Sequence, residues 1–282
     1  MRFTKYHGAG NDFVVVLADR ATGVLPFDPA DTAFVARVCD RHFGVGADGL
    51  IALRPAPGVA FEMLYFNADG RLGSLCGNGS RCAVRAALDA GWLPPATTTL
   101  TFLAADGPHA AAVLPDGRIR LQMHDVAPPR HENLPADVPA TDAQTYFLDT
   151  GSPHVVYLLP FGLRDTDVLT EGRRIRYDAR FAPGGGTNVN FVERNAAGGA
   201  HLHIRTYERG VEAETLACGT GVTAAALVAA HHYGTASPVV IHALGGELTV
   251  EFTARPDGGF AAVALTGPAE RVFGGEFYYA SV

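Results

Sequence analysis

Short apolar runs, each bounded by glycine, proline or aspartate, dominate the hydrophobic pattern of this chain. Runs of about four to eight residues with such boundaries are typical of β-strands, because a helix needs a longer segment with wider apolar spacing. We also expect an N-terminal strand that contains Lys5. The other predicted strands cover residues 13–17, 50–53, 63–66, 119–123, 155–159, 189–192, 248–252 and 260–265.

Four segments show helical spacing instead, at about residues 31–40, 78–90, 166–177 and 220–233. The last contains the run 221–230, which is apolar or small on every face, and such a helix is normally enclosed by the rest of the protein. Alanines at helical spacing give 78–90 a similar face. Small side chains let a sheet wrap closely around a helix, so these two segments predict two helix-centred sheets.

The two halves of the chain resemble each other at a nearly constant shift, which indicates a duplicated domain. We therefore predict an α+β fold of two pseudo-symmetric lobes, each a curved, mostly antiparallel sheet around one central helix. Four pairs of segments align in order: 10–15 with 151–156 and 66–67 with 207–208 at an offset of 141, 46–48 with 186–188 at 140, and 76–79 with 218–221 at 142.

A proline-rich segment without apolar periodicity, residues 126–140, is typical of a linker between the halves. We expect an N-terminal lobe over residues 1–125, which contains Cys76, and a C-terminal lobe over residues 126–269, which contains Cys218.

Composition and charge exclude several classes of protein. Hydrophobic residues make up 48% and charged residues 18% of the 282 residues, as in ordinary globular proteins and unlike disordered chains. The net charge of −7 comes without a basic block, so no nucleic-acid partner is expected. No window approaches the roughly 20 apolar residues of a membrane span. The first apolar run, residues 13–18, is too short for the core of a signal peptide. The expected location is the cytoplasm, without a membrane partner.

Cofactor and metal chemistry are not expected either. Lys5 is the single lysine of the chain, and it lies in the predicted first strand rather than where a pyridoxal phosphate Schiff base would form. The glycine-rich nucleotide-binding motifs are absent from the sequence. Four cysteines without a CxxC pair predict neither a zinc site nor a disulfide scaffold. The chemistry is therefore expected to come from side chains.

Two cysteines lie at equivalent helix starts, each followed by Gly-x-Gly: Cys76 and Cys218. A helix start offers unpaired N–H groups that bind carboxylates and favour a thiolate. Two such thiols on opposite faces of one carbon could invert it, one as base and one as acid. The alternatives are two buried apolar side chains or a disulfide between them. Cys39 and Cys82 lack the glycine context, and we interpret them as buried apolar residues.

The chain resembles the diaminopimelate epimerase family in a series of motifs along residues 5–230. This resemblance implies a cofactor-independent isomerase that interconverts LL- and meso-diaminopimelate for lysine and cell-wall precursor synthesis. It also implies that residues 270–282, with a strand around 275–280, return to the first lobe. The motifs are His7-Gly-Ala-Gly-Asn-Asp-Phe13, Asp40-Arg-His-Phe-Gly-Val-Gly-Ala-Asp-Gly49, Phe66-Asn-Ala-Asp-Gly70, Cys76-Gly-Asn-Gly-Ser-Arg81, Gly151-Ser-Pro-His154, Thr187-Asn-Val-Asn-Phe191, Tyr207-Glu-Arg-Gly210 and Cys218-Gly-Thr-Gly221.

The resemblance assigns roles residue by residue, with Cys76 and Cys218 as the acid/base pair. Glu208 would neutralise an ammonium group of the substrate, and His154 would support the site near a thiol. The reacting carboxylate would be held by the amides of Gly77, Asn78, Gly219 and Thr220, and the distal amino acid end by Asn11, Asn67, Asn188 and Arg209. Arg209 suits a bidentate bond to the distal carboxylate.

Two positions depart from the family pattern: Ser152 stands where asparagine is common, and Gly49 where some members carry glutamine. A shorter or water-bridged contact is expected at Ser152, which we still include among the substrate-binding residues. Three alternatives remain: a racemase of another amino acid on the same scaffold, a non-catalytic amino acid-binding module, and a phenazine-biosynthesis-type isomerase. The expected partner is a small-molecule substrate, with a homodimer left open.

Overall fold

The structure is a computed structural model that describes residues 1–73, 76–134, 142–195 and 199–279. The chain divides into two compact units. Met1–Leu121 with Gly267–Val282 forms the N-terminal lobe, and Gln122–Thr266 forms the C-terminal lobe. Both lobes contain many strands and few helices. The predicted α+β class with two lobes is confirmed.

In the N-terminal lobe, the residues that the structure describes form seven successive strands: β1 (Arg2–Gly8), β2 (Asn11–Leu17), β3 (Gly49–Arg54), β4 (Glu62–Asn67), β5 (Thr99–Ala104), β6 (Gly107–Val113) and β7 (Ile119–Gln122). Each strand pairs with the next along the chain. The β2–β3 and β4–β5 pairs are parallel, and the other four are antiparallel. A parallel pair needs a crossover connection, and the helices of the lobe lie in these connections.

The described part of the N-terminal lobe contains two α-helices, α1 (Thr32–Cys39) between β2 and β3, and α2 (Gly77–Asp89) between β4 and β5. Asp31 caps α1, because its carboxylate accepts a hydrogen bond from the N–H of Phe34 at 2.9 Å. α2 packs against β1, β2, β3 and β4. The buried alanines of α2 share one apolar cluster with large residues of the sheet, such as Phe13 and Phe102. α2 is therefore the central helix of this lobe.

Among its described residues, the C-terminal lobe contains the next nine strands: β8 (Arg130–Glu132), β9 (Gln144–Asp149), β10 (Pro153–Leu159), β11 (Asn188–Arg194), β12 (His201–Glu208), β13 (Ala213–Thr215), β14 (Val239–Ala243), β15 (Gly246–Ala254) and β16 (Phe260–Gly267). The β10–β11 and β12–β14 pairs are parallel. The β8–β9, β9–β10, β11–β12, β12–β13, β14–β15 and β15–β16 pairs are antiparallel. This sheet is mostly antiparallel, as predicted.

Two helices of the C-terminal lobe occupy its crossover connections: α3 (Val168–Arg176) between β10 and β11, and α4 (Gly219–Tyr233) between β13 and β14. α4 packs against β9, β10, β11, β12, β14 and β15. All residues from Gly221 to Ala229 are buried. The prediction that this small-residue helix is enclosed is confirmed. α4 ends at Gly234, whose φ of 69° gives the left-handed C-cap that glycine adopts without strain.

The two lobes repeat one topology. From β1 to β7, and from β9 to β16 with β13 left out, successive pairs run antiparallel, parallel, antiparallel, parallel, antiparallel and antiparallel. The segments that match in sequence lie at equivalent points of this repeat. Asn67 and Glu208 end β4 and β12, and Cys76 and Cys218 precede α2 and α4. The predicted pseudo-symmetry of the lobes is confirmed at the level of topology.

A last strand, β17 (Glu270–Glu276), pairs antiparallel with β1 from Arg2 opposite Glu276 to His7 opposite Glu270. The strand was expected around residues 275–280, but β17 begins at Glu270, because its pairing with β1 already starts there, opposite His7. Residue 280 lies outside the described residues. The segment expected to be a linker contains β8, which backbone pairing to β9 holds without apolar periodicity. Residues 135–141 are not described.

Candidate active site

Cys76 is the N-cap of α2, and its sulfur accepts a hydrogen bond from the N–H of Gly79 at 3.3 Å. The extended backbone of Cys76, with φ −110° and ψ 112°, is the usual conformation of a cap. Gly79 allows this approach, since a Cβ there would lie 3.1 Å from the Ile51 side chain and 3.4 Å from Cys76 Cβ. The first cysteine motif therefore forms a helix cap with a backbone donor on sulfur.

Two asparagines predicted for the site lie beside this cysteine. Asn11 Oδ1 is 3.8 Å from Cys76 Sγ and accepts a hydrogen bond from Asn78 Nδ2 at 3.3 Å. Arg81, which is fully buried, donates to Asn78 Oδ1 at 2.8 Å and to the carbonyl of Pro268 at 3.2 Å. Burial lowers the pKa of this guanidinium. Arg81 fixes the Asn78 amide so that its nitrogen points toward Asn11.

A cluster of charged residues holds Asn11 from the other side. Asn11 Nδ2 donates to Asp48 Oδ2 at 2.7 Å, and Arg41 bridges Asp48 and Asp12 at 2.7 and 2.9 Å. The buried ammonium of Lys5 pairs with Asp12 at 2.7 Å and donates to the Gly46 carbonyl. Burial raises the pKa of Asp12, but hydrogen bonds from Arg41 and Lys5 outweigh it and lower the pKa to about 2.

Asn67 lies at the exposed end of β4, the position in the repeat that Glu208 holds in the other lobe. Its backbone closes a turn, because its carbonyl accepts from Gly70 N–H and its own N–H donates to the Arg71 carbonyl, both at 2.9 Å. A Cβ on Gly73 would lie 3.2 Å from the Asn67 amide nitrogen. Asn67 is thus placed at a strand end, outside the cluster around Asn11.

Cys218, the N-cap of α4, has different partners. Among the described residues no first-turn N–H caps its sulfur; Thr220 Oγ1 lies 3.5 Å from Sγ instead. The Thr220 carbonyl accepts a hydrogen bond from Thr150 at 3.0 Å. A Cβ on Gly221 would lie 2.4 Å from Asn190 Oδ1, so only glycine fits there. The second cysteine motif packs its first turn directly on a polar side chain of β11.

His154 connects Thr220 to the interior of the C-terminal lobe. Its Nε2 lies 2.9 Å from both Thr220 Oγ1 and Ser152 Oγ, and its Nδ1 lies 3.0 Å from Asn190 Nδ2. His154 is fully buried, and burial together with the positive charge of Arg209 lowers its pKa to about 3. The imidazole is therefore neutral at physiological pH.

The remaining predicted residues of this lobe border the same cluster. Asn188 Nδ2 donates to the Pro153 carbonyl at 2.9 Å and lies 3.4 Å from Ser152 Oγ. Its Oδ1 accepts from the backbone N–H of Arg209 at 2.8 Å. The Arg209 guanidinium donates to the Gly184 carbonyl at 3.1 Å, and Glu208 accepts from Thr215 at 2.9 Å. The end of β12 is thereby fixed next to the start of β11.

The other two thiols are placed differently. Cys39 and Cys82 are buried among apolar residues, which confirms their interpretation as apolar core residues. Burial raises the pKa of Cys39 to about 12 and raises that of Cys82 as well. Among the described residues, no group of three or more His, Cys, Asp or Glu side chains could hold a metal ion. No helix in the described ranges has the length and apolar character needed to cross a membrane.

Sequence reasoning missed several residues of these clusters. Asn190, Thr206, Asp48, Arg41 and Arg81 hold predicted residues in place but were not predicted as site residues. Four of them lie within the family motifs, so their closeness in sequence to a predicted site residue could have indicated them. Thr206 precedes the motif 207–210 and gave no such signal.

Comparison with solved structures defines the class of fold first. The phenazine biosynthesis protein of the PhzF family from Bacillus anthracis superimposes with a TM-score of 0.75 at 15% identity, covering 99% of both chains. A probable proline racemase from Agrobacterium radiobacter gives a TM-score of 0.67 at 16% identity, covering 98% of this chain and 92% of its own. The chain shares the two-lobed fold of these proteins.

Sequence comparison then identifies the family. The family model for diaminopimelate epimerase matches residues 3–127 and 146–272. Diaminopimelate epimerase from Chlorobaculum tepidum is 41% identical over 271 residues, which are 95% of this chain and 98% of that protein. The enzyme of the same name from Flavobacterium psychrophilum is 39% identical over 275 residues, with 97% and 98% covered. The chain belongs to the diaminopimelate epimerase family.

Proposed function

We propose that this protein interconverts LL- and meso-diaminopimelate without a cofactor, with Cys76 and Cys218 as the acid/base pair. The observation that carries this proposal is that two cysteines, Cys76 and Cys218, are the N-caps of equivalent helices of a duplicated fold. Membership in the diaminopimelate epimerase family supports the substrate. Lysine and cell-wall precursor synthesis is the corresponding biological role.

The reaction needs only proton transfers. One thiolate removes the proton from the α-carbon and becomes a thiol, while the electron pair of the C–H bond delocalises into the carboxylate. The other thiol then gives its proton to the opposite face of the same carbon and becomes a thiolate. In the reverse direction the two residues exchange roles. Positioned acids and bases of this kind contribute about 10²–10⁴-fold to a rate.

The carbanion is the difficult intermediate, and the two helix starts supply its stabilisation. In this proposal the first-turn amides of Gly77, Asn78, Gly219 and Thr220 hold the reacting carboxylate as negative charge builds up. Preorganised donors of this type stabilise an oxyanion by about 2.7–4 kcal/mol each, which is more than an exposed helix dipole provides. His154 supports the C-terminal thiol.

The distal end of the substrate is assigned to side chains at the ends of the strands. Asn11, Asn67 and Asn188 offer amide groups, and Arg209 offers a fork that matches a carboxylate. Ser152 adds a hydroxyl next to Asn188. Glu208 neutralises the distal ammonium. A second charged amino acid end is what distinguishes diaminopimelate from a monoamino acid.

Solvent isotope exchange tests this function directly. The purified protein, with no cofactor added, is incubated with LL-diaminopimelate in deuterated buffer, and the product is analysed by NMR and mass spectrometry. We expect meso product with one solvent deuterium at the inverted α-carbon. Product without deuterium would contradict proton transfer by the thiols. Binding of diaminopimelate without exchange would indicate a binding module, and faster exchange of a monoamino acid would indicate a racemase.

Matched cysteine variants separate chemistry from folding. Cys76→Ala and Cys218→Ala should each lower the epimerisation rate by about 10²–10⁴-fold, as expected for loss of a positioned acid or base. Cys39→Ala and Cys82→Ala remove the same atoms from buried apolar positions and should retain the rate. Equal losses in all four variants would mean that cysteine removal acts through stability.

A further inference from the structure

A continuous chain of hydrogen bonds runs from the core of the C-terminal lobe to Cys218. Thr206 Oγ1 donates to Asn190 Oδ1 at 3.0 Å, and Asn190 Nδ2 reaches His154 Nδ1 at 3.0 Å. His154 Nε2 meets Thr220 Oγ1 at 2.9 Å, and this hydroxyl lies 3.5 Å from Cys218 Sγ. The first three residues of this chain are buried to at least 97% of their surface. We call these four residues and Cys218 the C-lobe relay.

The direction of each bond follows from the available donors and acceptors. The Asn190 amide has a fixed orientation, because its nitrogen also donates to the Val155 carbonyl at 3.0 Å and its oxygen accepts from Thr206. An amide nitrogen can only donate, so His154 Nδ1 must be the acceptor. The neutral ring therefore carries its proton on Nε2 and donates it to a hydroxyl. Ser152 Oγ lies equally close to Nε2, at 2.9 Å, and 3.2 Å from Thr220 Oγ1. With Thr220 Oγ1 as the acceptor of the Nε2 proton, the Thr220 hydrogen is available for Cys218 Sγ at 3.5 Å.

We propose that Asn190 and Thr206 are positioning residues that hold His154 as the Nε2–H tautomer, so that the Thr220 hydroxyl donates to the Cys218 sulfur. A donor on sulfur stabilises the thiolate over the thiol. Thr220 thus acts on the thiol through its side chain, in addition to its backbone amide on the carboxylate. Asn190 and Thr206 need not touch the substrate.

Two charged side chains, Glu208 and Arg209, lie at the same end of the lobe as the relay. Glu208 accepts from the Thr215 hydroxyl. Arg209 disfavours a second proton on His154, in the same direction as burial. Gly221 is needed for the relay, because a Cβ there would lie 2.4 Å from Asn190 Oδ1. The importance of the relay for turnover rests on the proposed function, but its effect on Cys218 does not.

The test measures the tautomer and the thiol in the protein without substrate. Long-range ¹H–¹⁵N NMR of the histidine rings should show His154 as the Nε2–H form, without titration at and above neutral pH. Iodoacetamide alkylation, followed by mass spectrometry against pH, reports on Cys218 and Cys76 in the same sample. In Thr220→Val the Cys218 midpoint should rise by about one pH unit, which corresponds to about 1.4 kcal/mol. Thr220→Ser should restore it, and the Cys76 midpoint should stay in place.

Two variants act further along the relay. Asn190→Asp places an acceptor against Nδ1, so the ring proton should move to Nδ1 and the Cys218 midpoint should rise as in Thr220→Val. Thr206→Val removes the donor to Asn190 Oδ1 and should give a smaller rise in the same direction. Thr166→Val removes a buried hydroxyl that donates to the Gly162 carbonyl outside the relay, and it should leave both readouts unchanged.

The outcomes separate this proposal from the proposed function. An Nδ1–H tautomer in the unmodified protein, or an unchanged Cys218 midpoint in Thr220→Val, would overturn the relay. An equal shift in Thr166→Val would reduce the effect to general destabilisation and overturn it too. If the relay readouts appear as expected while no deuterium enters diaminopimelate, the relay stands and the proposed reaction fails.

Discussion

The two helix caps share the pattern Cys-Gly-x-Gly, yet the two lobes hold their sulfur atoms by different means. Cys76 accepts from a backbone N–H, and its neighbour Asn11 is held by Asp48. Cys218 has a side-chain hydroxyl at its sulfur, held in turn by a neutral imidazole and a buried amide. Around Asn11 the supporting groups are charged, and Arg41 and Asp48 among them are partly exposed. In the C-terminal lobe His154, Asn190 and Thr206 are neutral and buried.

The two copies of one duplicated backbone therefore hold the same chemical group by two different kinds of contact. A backbone N–H is present with every side chain except that of proline, so most single substitutions leave this donor in place. A relay of buried side chains can be broken by substituting any one of its residues. Each buried polar atom that loses its hydrogen-bond partner lowers stability by about 1–3 kcal/mol. We therefore expect the C-terminal site to be the more sensitive of the two to substitution.

The largest effect on stability and activity is expected at Gly221, where the first turn of α4 packs against Asn190. Gly221→Ala would place a Cβ 2.4 Å from Asn190 Oδ1, whereas Gly79→Ala would place one 3.1 Å from the end of the Ile51 side chain. The first clash involves a fixed, buried amide and should lower the free energy of unfolding by about 1–3 kcal/mol and abolish activity. The second should cost less than about 1 kcal/mol, because alanine also favours a helix over glycine.

Urea unfolding of both variants, with the isotope-exchange assay alongside, measures this contrast. Thr166→Val serves again as a buried control in the same lobe. Equal losses for Gly221→Ala and Gly79→Ala would show that the two caps are packed alike, and the contrast between the lobes would not hold.

Lowering the pH should reduce the free energy of unfolding by an intermediate amount. The pH range of this loss should differ between the groups of the two lobes. The pKa of His154 falls from 6.5 to about 3 on folding, through burial and Arg209. The folded state therefore rejects a proton that the unfolded state takes up, so the contribution to stability is complete above pH 6.5 and is lost as pH falls toward 3. At pH 5 the loss should be about 2 kcal/mol. Asp12, with its pKa lowered from 3.8 to about 2, should matter only between those two values.

Denaturant unfolding as a function of pH tests this assignment. The His154→Gln variant should be less stable at neutral pH but should lose the steep dependence between pH 6.5 and 4. Asp12→Asn should keep that dependence and lose only the change below about pH 4. A slope that persists unchanged in His154→Gln would place the acid-sensitive group elsewhere.

Much of the fold could be predicted from the sequence, because its strongest signals are local. Buried parallel strands such as β3 and β10 contain continuous apolar runs, and α4 is apolar or small on every face over residues 221–230. The repeat was visible because both copies keep glycine and polar residues where the chain turns around the site. Strands with fewer apolar residues were missed: β12 alternates His, Leu, His, Ile, and β5 buries only Phe102 and Ala104.

The family resemblance assigned the substrate-binding residues, which stay predictions, but it did not indicate the residues that hold them in place. Asn190 lies in a motif that was recognised, yet its sequence neighbours do not reveal that its amide faces His154 from another strand. The parallel pairing of β10 and β11 brings the two together, with His154 opposite Asn188 in the register. Support of this kind depends on which strands are paired and in which register, and the sequence around a single residue does not show its neighbour on another strand.

The smallest effect on a thiol is expected from substitution of Asn11, which lies beside Cys76 in the N-terminal lobe. Asn11→Ala removes an amide oxygen that lies 3.8 Å from Cys76 Sγ, but it leaves the Gly79 N–H on sulfur at 3.3 Å. Because the removed contact is long, the pH midpoint of Cys76 alkylation should move by less than about half a pH unit, or about 0.7 kcal/mol. The midpoint of Cys218 is the internal reference. A shift at Cys76 as large as that expected at Cys218 for Thr220→Val would mean that side chains, and not the backbone, control both thiols.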